Sequence, residues 1–404
     1  MKGHRGAQGV GADELVLLPS LRAQLGPKGG FVLTQKYLNG AAQYARSWPG
    51  PVVSLVRMDT SRTSDMDHVE VFAAHCETGL ERRPEDPGEL IERLRRAKVV
   101  LAHLSRIEAP LAKLCREAGV PLVYGTEYTL ATEEQIIDVE TSNPVLRWRR
   151  KLWARRTERL RLESLALAAG VQCSGTPTFE VYRQHNARAL LFFDNRVPGL
   201  SVVGNDALEA KLASLREARP LRLVFGGRLI PMKGVRHLPD VAASLARRGV
   251  DFRFAVFGSG PLEGELRAAI ARCGLGDRME VLGPLDFATE WIPTLKRSAD
   301  LFVCCHPQGD PSSMYPEVMS CGVPIAGFDN EAFDGIVRHS GSGWLAPMHD
   351  AEALADRIAH LDRNRDELVR GARAAAAFAR EHAFERTYAR RTDHLRECAQ
   401  VRFP

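Results

Sequence analysis

The sequence predicts an α/β protein made of two Rossmann-like domains, each a parallel sheet wrapped by helices, that face each other across a cleft. Three observations carry this expectation. Short aliphatic and β-branched runs alternate with amphipathic helical stretches, the series restarts past the middle of the chain, and a turn-rich segment separates the two series. At 404 residues the chain is long enough for two or three domains of roughly 150 residues each.

The first series comprises residues 31–34 (FVLT), 51–56 (PVVSLV), 98–102 (KVVLA) and 120–124 (VPLVY). The second comprises 221–225 (LRLVF), 252–256 (FRFAV), 279–282 (MEVL), 300–304 (DLFVC) and 323–326 (VPIA). Between them Asp194 opens a DNRVPG turn, followed by a polar helical stretch that stops before Pro220, so the boundary is expected near residue 200. The predicted organisation is 1–200 and 201–376 as the two domains. The charged tail 377–404 is expected to be a helix, with Phe378, Phe384, Tyr388 and Leu395 as its larger apolar positions, packed on the nearer domain and with the N-terminal domain as a candidate host. Open parallel sheets bind ligands beyond the carboxyl ends of their strands, so two facing sheets present two ligands across one crevice.

Composition narrows the function. Apolar residues at 45% and charged residues at 26% are ordinary for a globular protein, which excludes fibrous and low-complexity readings. The 55 Lys and Arg exceed the 50 Asp and Glu by only five, too little for a dedicated nucleic-acid binder. The eight cysteines form no CxxC pair and no zinc-ligand spacing, which suits a reduced, cytoplasmic protein without metal. Residues 15–18 (LVLL) are the nearest thing to a signal-peptide core, but Pro19 cuts them short and Asp13 and Glu14 stand where positive charge belongs. No apolar run reaches the roughly 18 residues that cross a bilayer, so a soluble or peripheral protein is expected.

Three segments of the second half carry the chemistry. In Phe225-Gly226-Gly227-Arg228-Leu229-Ile230-Pro231-Met232-Lys233-Gly234 the glycines permit a tight turn, and Arg228 with Lys233 can bring two cations onto one anionic group, a diphosphate above all. Alone, two such charges are also ordinary surface residues. In Phe257-Gly258-Ser259-Gly260-Pro261 small residues end a strand and open a helix near Leu262, where free amides attract anions; a plain βα turn is the other reading. The stretch from His306 to Pro324 exposes a polar loop and then starts a short helix with Glu317 in its first turn. A carboxylate there can grip the two vicinal hydroxyls of a ribose, or only complement the helix dipole.

In this order the three segments, over about 221–346, resemble the donor half of retaining glycosyltransferases of family 4, which have the GT-B fold of two facing Rossmann-like domains. The resemblance implies that Arg228 and Lys233 hold the donor diphosphate and that Glu317, in EVMSCGVPI, binds the nucleotide ribose. It places Gly227, Gly258, Ser259, Gly260, Ser312 and Ser313 around the donor. The family has a further glutamate eight positions before Glu317, at a donor-sugar hydroxyl; that position is Gly309 here, and Asp310 stands one residue on. In the first half Gly40 corresponds to the small-residue loop facing the diphosphate, and Tyr128, beside Glu127, stands where many members have a histidine near the sugar. A tyrosine packing a strand end is the plain alternative for Tyr128, and His103, after KVVLA, is either a cleft residue or structural.

The resemblance implies transfer of a hexosyl unit from a nucleotide diphosphate sugar, UDP- or GDP-linked, to a lipid-linked or saccharide acceptor with retention, in envelope polysaccharide or glycolipid synthesis, and without a metal. A front-face route, in which the leaving phosphate takes the acceptor's proton, needs no enzymic nucleophile. The departures at Gly309 and Tyr128 keep two alternatives open: a non-catalytic sugar-nucleotide-binding subunit and a sugar-nucleotide epimerase of the same fold. Finally, residues 147–162 (RWRRKLWARRTERLRL) interleave Trp148 and Trp153 with eight basic residues, a pattern for a helix lying on an anionic membrane surface or simply solvated.

Overall fold

The computed structural model describes residues 13–59 and 67–402. The N-terminal sheet is built from β1 (Glu14–Leu18), β2 (Arg22–Leu25), β3 (Phe31–Thr34), β4 (Val52–Met58), β5 (His68–Val71), β6 (Gly79–Arg82), β7 (Ala97–His103), β8 (Leu122–Thr126), β9 (Gly170–Ser174) and β10 (Ala189–Phe192). Its order is β10-β9-β8-β7-β1-β4-β2-β3-β5, with β6 also paired to β4. All pairings from β10 to β4 are parallel, whereas β3 runs antiparallel to both β2 and β5.

This corrects the expected start of the fold. The first central strand is the LVLL run, β1, which lies between β4 and β7 with Leu15, Val16, Leu17 and Leu18 all buried. A run apolar at every position suits a strand covered on both faces. FVLT is β3, near the antiparallel edge, and only Leu33 and Thr34 of its four residues are buried. Thr34 caps the helix Gln35–Ser47, its side chain accepting from the Tyr37 amide, so strand passes into helix without a loop.

The C-terminal sheet is parallel throughout: β11 (Leu221–Gly226), β12 (Phe252–Phe257), β13 (Met279–Leu282), β14 (Leu301–Cys304), β15 (Ile325–Phe328) and β16 (Trp344–Ala346). Its order β13-β12-β11-β14-β15-β16 reverses direction between β11 and β14, the switch point at which doubly wound sheets open a ligand crevice. One continuous core, from Leu223 and Phe225 through Phe302 and Phe328 to the helix Arg365–Glu381, supports this sheet.

The chain crosses between domains twice, and the crossings are bonded to each other. Asn195, fully buried, donates through Nδ2 to the His382 carbonyl at 3.1 Å, and the Phe384 amide donates to the Val197 carbonyl at 3.1 Å. The helix Phe384–Cys398 then returns to the N-terminal domain. Its Leu395 and Cys398 pack with Leu15, Leu17 and Val99, and Tyr388 meets Tyr44 edge-on at 5.0 Å.

His382 sits at this crossing with its ring against Phe193 and Phe378 and its Nδ1 2.7 Å from an Arg390 guanidinium nitrogen. Burial, then Arg390, push its pKa down to about 3. Below pH 6.5 the unfolded chain therefore binds a proton that the folded chain refuses, so stability falls as pH drops from about 6.5 toward 3. From this residue alone the loss between pH 6.5 and pH 5 is about 2 kcal/mol. Urea titrations at the two pH values are expected to show a difference that shrinks by roughly that amount in His382→Gln, whose amide oxygen still accepts from Arg390.

Candidate functional site

At the β11/β14 switch point lies a cavity of about 570 Å³, within the usual range for small-ligand sites. Each strand end contributes one of the segments singled out above. Gly227 and Arg228 follow β11, Gly258 and Ser259 follow β12, and His306 follows β14. Lys233, Ser312, Ser313 and Glu317 complete the wall on this side. Glycine at 258 is a packing requirement: φ is 134°, and a Cβ there would lie 2.0 Å from the Gly227 carbonyl oxygen. Gly234, at φ 64°, similarly leaves no room for a Cβ, which would fall 1.7 Å from the Cys305 oxygen. These two contacts clamp the cation-bearing loop to its neighbours.

The cations differ in their engagement. Lys233 Nζ lies 3.0 Å from Asp310 Oδ2, so Asp310 is held beside the loop. Arg228 is exposed to the cavity and, among the described residues, its side chain has no hydrogen-bond or ion-pair partner. Glu317 is buried and bound two-pronged by Arg196, Nε to Oε1 at 2.6 Å and a terminal nitrogen to Oε2 at 3.2 Å. An ionised carboxylate has about four acceptor positions, so the pair leaves capacity for two hydroxyls. Arg196 also lies over the Phe287 ring at 4.0 Å. His306 is almost fully buried, and burial with the nearby Lys233 drives its pKa well below the ordinary histidine value, so its imidazole is neutral.

Gly260 does not line the cavity. It lies against Leu229, whose carbonyl oxygen would be 2.6 Å from a Cβ at 260. The amides expected to be free at the following helix are taken as well, that of Leu262 by the Leu229 carbonyl and that of Glu263 by the Gly260 carbonyl.

A second cavity, of about 310 Å³, opens at the carboxyl ends of the N-terminal strands, with Leu17, Leu18, His103 and Thr126 in its wall. Gly40 lines this cavity and not the one at the β11/β14 switch point. Because β3 runs straight into the helix Gln35–Ser47, Gly40 lies within that helix, where it makes room for Tyr388: a Cβ would be 2.3 Å from the Tyr388 hydroxyl. The residue of this segment that reaches both cavities is Lys36, bonded to Asp194 at 2.7 Å. Asp194 raises the Lys36 pKa above its ordinary value, and burial is the main opposing influence. Glu127 lines the N-terminal cavity, and its pKa is raised by desolvation and by Asp310, against the pull of Lys36. Tyr128 lines neither cavity; burial, then the Glu127 and Asp310 carboxylates, push its pKa up, and its carbonyl accepts from the Tyr182 hydroxyl at 3.1 Å. His103 has its pKa lowered by burial, then by Arg161.

Sequence reasoning missed Arg196, Lys36 and Phe287 as members of the site. Arg196 was hidden in a segment whose turn residues mark only a connection, and Lys36 in a helix start that reads as solvent-exposed. The aromatic Phe287 and Trp291 of FATEW were the one signal available for that wall.

The basic helix, Pro144–Leu167, is largely neutralised by its neighbour Leu130–Glu140. Lys151 bonds Asp138 at 2.6 Å, Arg155 bonds Glu134 at 2.6 Å, and Arg161 bonds Glu133. Its outer face keeps Val145, Leu146 and Trp148 exposed, Trp148 at 64%, with Arg149 and Arg156 unpaired among the described residues. Among those residues no helix is long and apolar enough to cross a membrane.

Two facing α/β domains, the first with an antiparallel edge and the second parallel throughout, with a cation-lined cavity at the switch point of the second, define the GT-B class of fold. Residues 209–377 match the family Glycosyl transferases group 1. The amylovoran biosynthesis glycosyltransferase AmsK of Erwinia amylovora is 30% identical over 172 residues, 40% of this chain and 42% of AmsK. The alpha-D-kanosaminyltransferase of Streptomyces kanamyceticus is 25% identical over 261 residues, 61% of this chain and 63% of that protein. The chain thus spans less than two thirds of the length of either relative. In fold, it resembles HepE of Anabaena, solved in complex with UDP, with TM-score 0.67 and 16% identity over 94% of this chain and 98% of HepE.

Proposed function

We propose that this protein is a retaining glycosyltransferase of family 4 that moves a hexosyl unit from a nucleotide diphosphate sugar to an acceptor hydroxyl, in the synthesis of an envelope polysaccharide or glycolipid. The observation that carries this reading is the convergence of Arg228, Lys233 and Glu317 on one cavity that also receives Lys36 from the opposite domain. Arg228 and Lys233 supply fixed positive charge where the departing diphosphate becomes more negative, and Glu317 offers its remaining acceptor positions to the ribose. The bond from the anomeric carbon to the phosphate oxygen breaks, the bond to the acceptor oxygen forms on the same face, and the acceptor's proton passes to the leaving phosphate. These cations take the place of a metal, and none is required for the chemistry. The acceptor, a saccharide or a lipid-linked one, approaches from the N-terminal cavity, past Glu127 and His103. For a lipid-linked acceptor the exposed Trp148, Val145 and Leu146 with Arg149 and Arg156 supply a face for the inner, cytoplasmic surface of an anionic membrane.

A thermal-shift panel of UDP, GDP and their sugars tests the reading, because a ligand selective for the native state raises its apparent stability. HepE is known with UDP and with UDP-glucose, which makes the uracil series the first to try. At 100 times the dissociation constant the expected gain is about 2.7 kcal/mol, and no shift with any nucleotide would sink the proposal. Glycine at 309 and tyrosine at 128 favour a second reading, a non-catalytic sugar-nucleotide-binding subunit. That subunit would shift with nucleotide and yet neither hydrolyse nor transfer the sugar, whereas an epimerase would convert the donor with no acceptor present.

A further inference from the structure

Both backbone groups of Gly309 are held from across the interdomain gap. The Gly309 amide donates to Gln135 Oε1 at 2.9 Å, and Thr132 Oγ1 donates to the Gly309 carbonyl at 3.5 Å. Gln135 and Thr132 are one turn apart on the helix Leu130–Glu140 of the N-terminal domain, which also packs against the single turn Pro231–Lys233. The same Gln135 donates through Nε2 to Glu331 Oε1 at 2.7 Å, so its amide is orientated by a donor on one side and a carboxylate on the other. Glu331 opens the helix Glu331–Ser340, whose cap Asn330 donates to the His306 carbonyl at 3.3 Å. Gln135 therefore touches both ends of a short circuit that includes His306, Gly309, Asp310 and, through the 3.0 Å ion pair, Lys233.

Glycine at 309 leaves the circuit undisturbed. A Cβ there would lie 2.7 Å from Glu331 Oε2, so any side chain at 309 displaces the carboxylate that Gln135 holds.

We infer that Gln135 is a positioning residue: an interdomain latch that fixes the Gly309–Asp310 segment, and through Asp310 the Lys233 cation, when the two domains are together. This inference rests on the glycosyltransferase reading of the cavity and adds the device that ties domain closure to the donor site. Because one side chain bonds both the loop and Glu331, closure and nucleotide binding are coupled, and each must strengthen the other by the same factor.

The test is an exchange of groups. Gln135→Glu keeps the acceptor for the Gly309 amide but sets a second carboxylate against Glu331; Glu331→Gln in the same chain returns one donor and one acceptor to the contact. In the full-length protein, Gln135→Glu is expected to weaken UDP or GDP binding about tenfold by titration calorimetry, within the usual range of coupling between sites. It should raise the donor KM more than it lowers kcat, and the Gln135→Glu/Glu331→Gln double variant should recover most of the affinity. Wild-type affinity in Gln135→Glu would overturn the inference, and so would a loss that the double variant does not recover, since a merely structural role predicts no rescue. Small-angle scattering supplies a second readout: nucleotide is expected to compact the wild type and the double variant but not Gln135→Glu, and equal compaction of all three would also overturn it. If the wild type itself binds no nucleotide, the reading of the cavity fails instead, which keeps the two failures apart.

Discussion

Arg228→Ala is expected to lower kcat/KM for the nucleotide-sugar donor by about 10²–10³-fold while leaving the thermal midpoint within experimental error. The magnitude is that of removing one preorganised charge from the place where negative charge develops. The unchanged stability follows from position: the Arg228 side chain is exposed to the cavity and bonds nothing among the described residues, and such surface substitutions shift stability by only about 0.5 kcal/mol. Lys233→Ala is expected to cost as much in turnover and more in stability, because it leaves Asp310, nearly buried, without its cation. Steady-state kinetics with the donor that scores best in the thermal-shift panel, run beside a melting curve for each variant, check both statements. Wild-type turnover in Arg228→Ala would remove the diphosphate clamp from the mechanism.

The parts of this site that could be read from the sequence are those in which one local physical demand selects the residues. A cation-bearing turn needs its glycines where backbones cross, so GGR…KG stands out in the chain, and the close approach of Gly258 to Gly227 is the reason. The parallel strands of the second half are legible for a similar cause: β14 and β15 are buried at every residue, and in β11, β12 and β13 a single charged residue, Arg222, Arg253 or Glu280, interrupts an otherwise apolar run. Where a position is decided by a partner far along the chain, local pattern says little. FVLT and LVLL are both short apolar runs, and only long-range pairing puts LVLL at the sheet centre and FVLT near its edge. Gly40 is small on account of Tyr388, nearly 350 residues away in sequence, which no loop rule could disclose. The charge run 147–162 looked free because the acids that neutralise it belong to a different helix. Arg196, too, has meaning only beside Glu317, and that pair leads to the second large effect.

Glu317→Ala is expected to abolish measurable nucleotide binding and also to lower the unfolding free energy by about 3 kcal/mol. The second loss comes from Arg196. Its guanidinium is bound at both carboxylate oxygens and is two-thirds shielded from solvent, so without Glu317 it remains a partly desolvated charge that has lost its only ion-pair contact among the described residues and keeps Asp194 and Asp67 only as more distant carboxylates. A value at the low end of the range for a broken buried pair fits that residual exposure. The two roles of Glu317 separate in the variant Arg196→Met/Glu317→Leu, because replacing both partners of a buried ion pair by apolar groups restores most of the stability that removing one destroys. Urea denaturation should therefore rank the double variant near the wild type and Glu317→Ala well below it. Calorimetric titration with UDP or GDP should find both variants unable to bind, since a leucine cannot accept the ribose hydroxyls. Nucleotide affinity in the double variant equal to that of the wild type would show that Glu317 serves the fold alone; a double variant as unstable as Glu317→Ala would show that an unpaired Arg196 is not the source of the destabilisation.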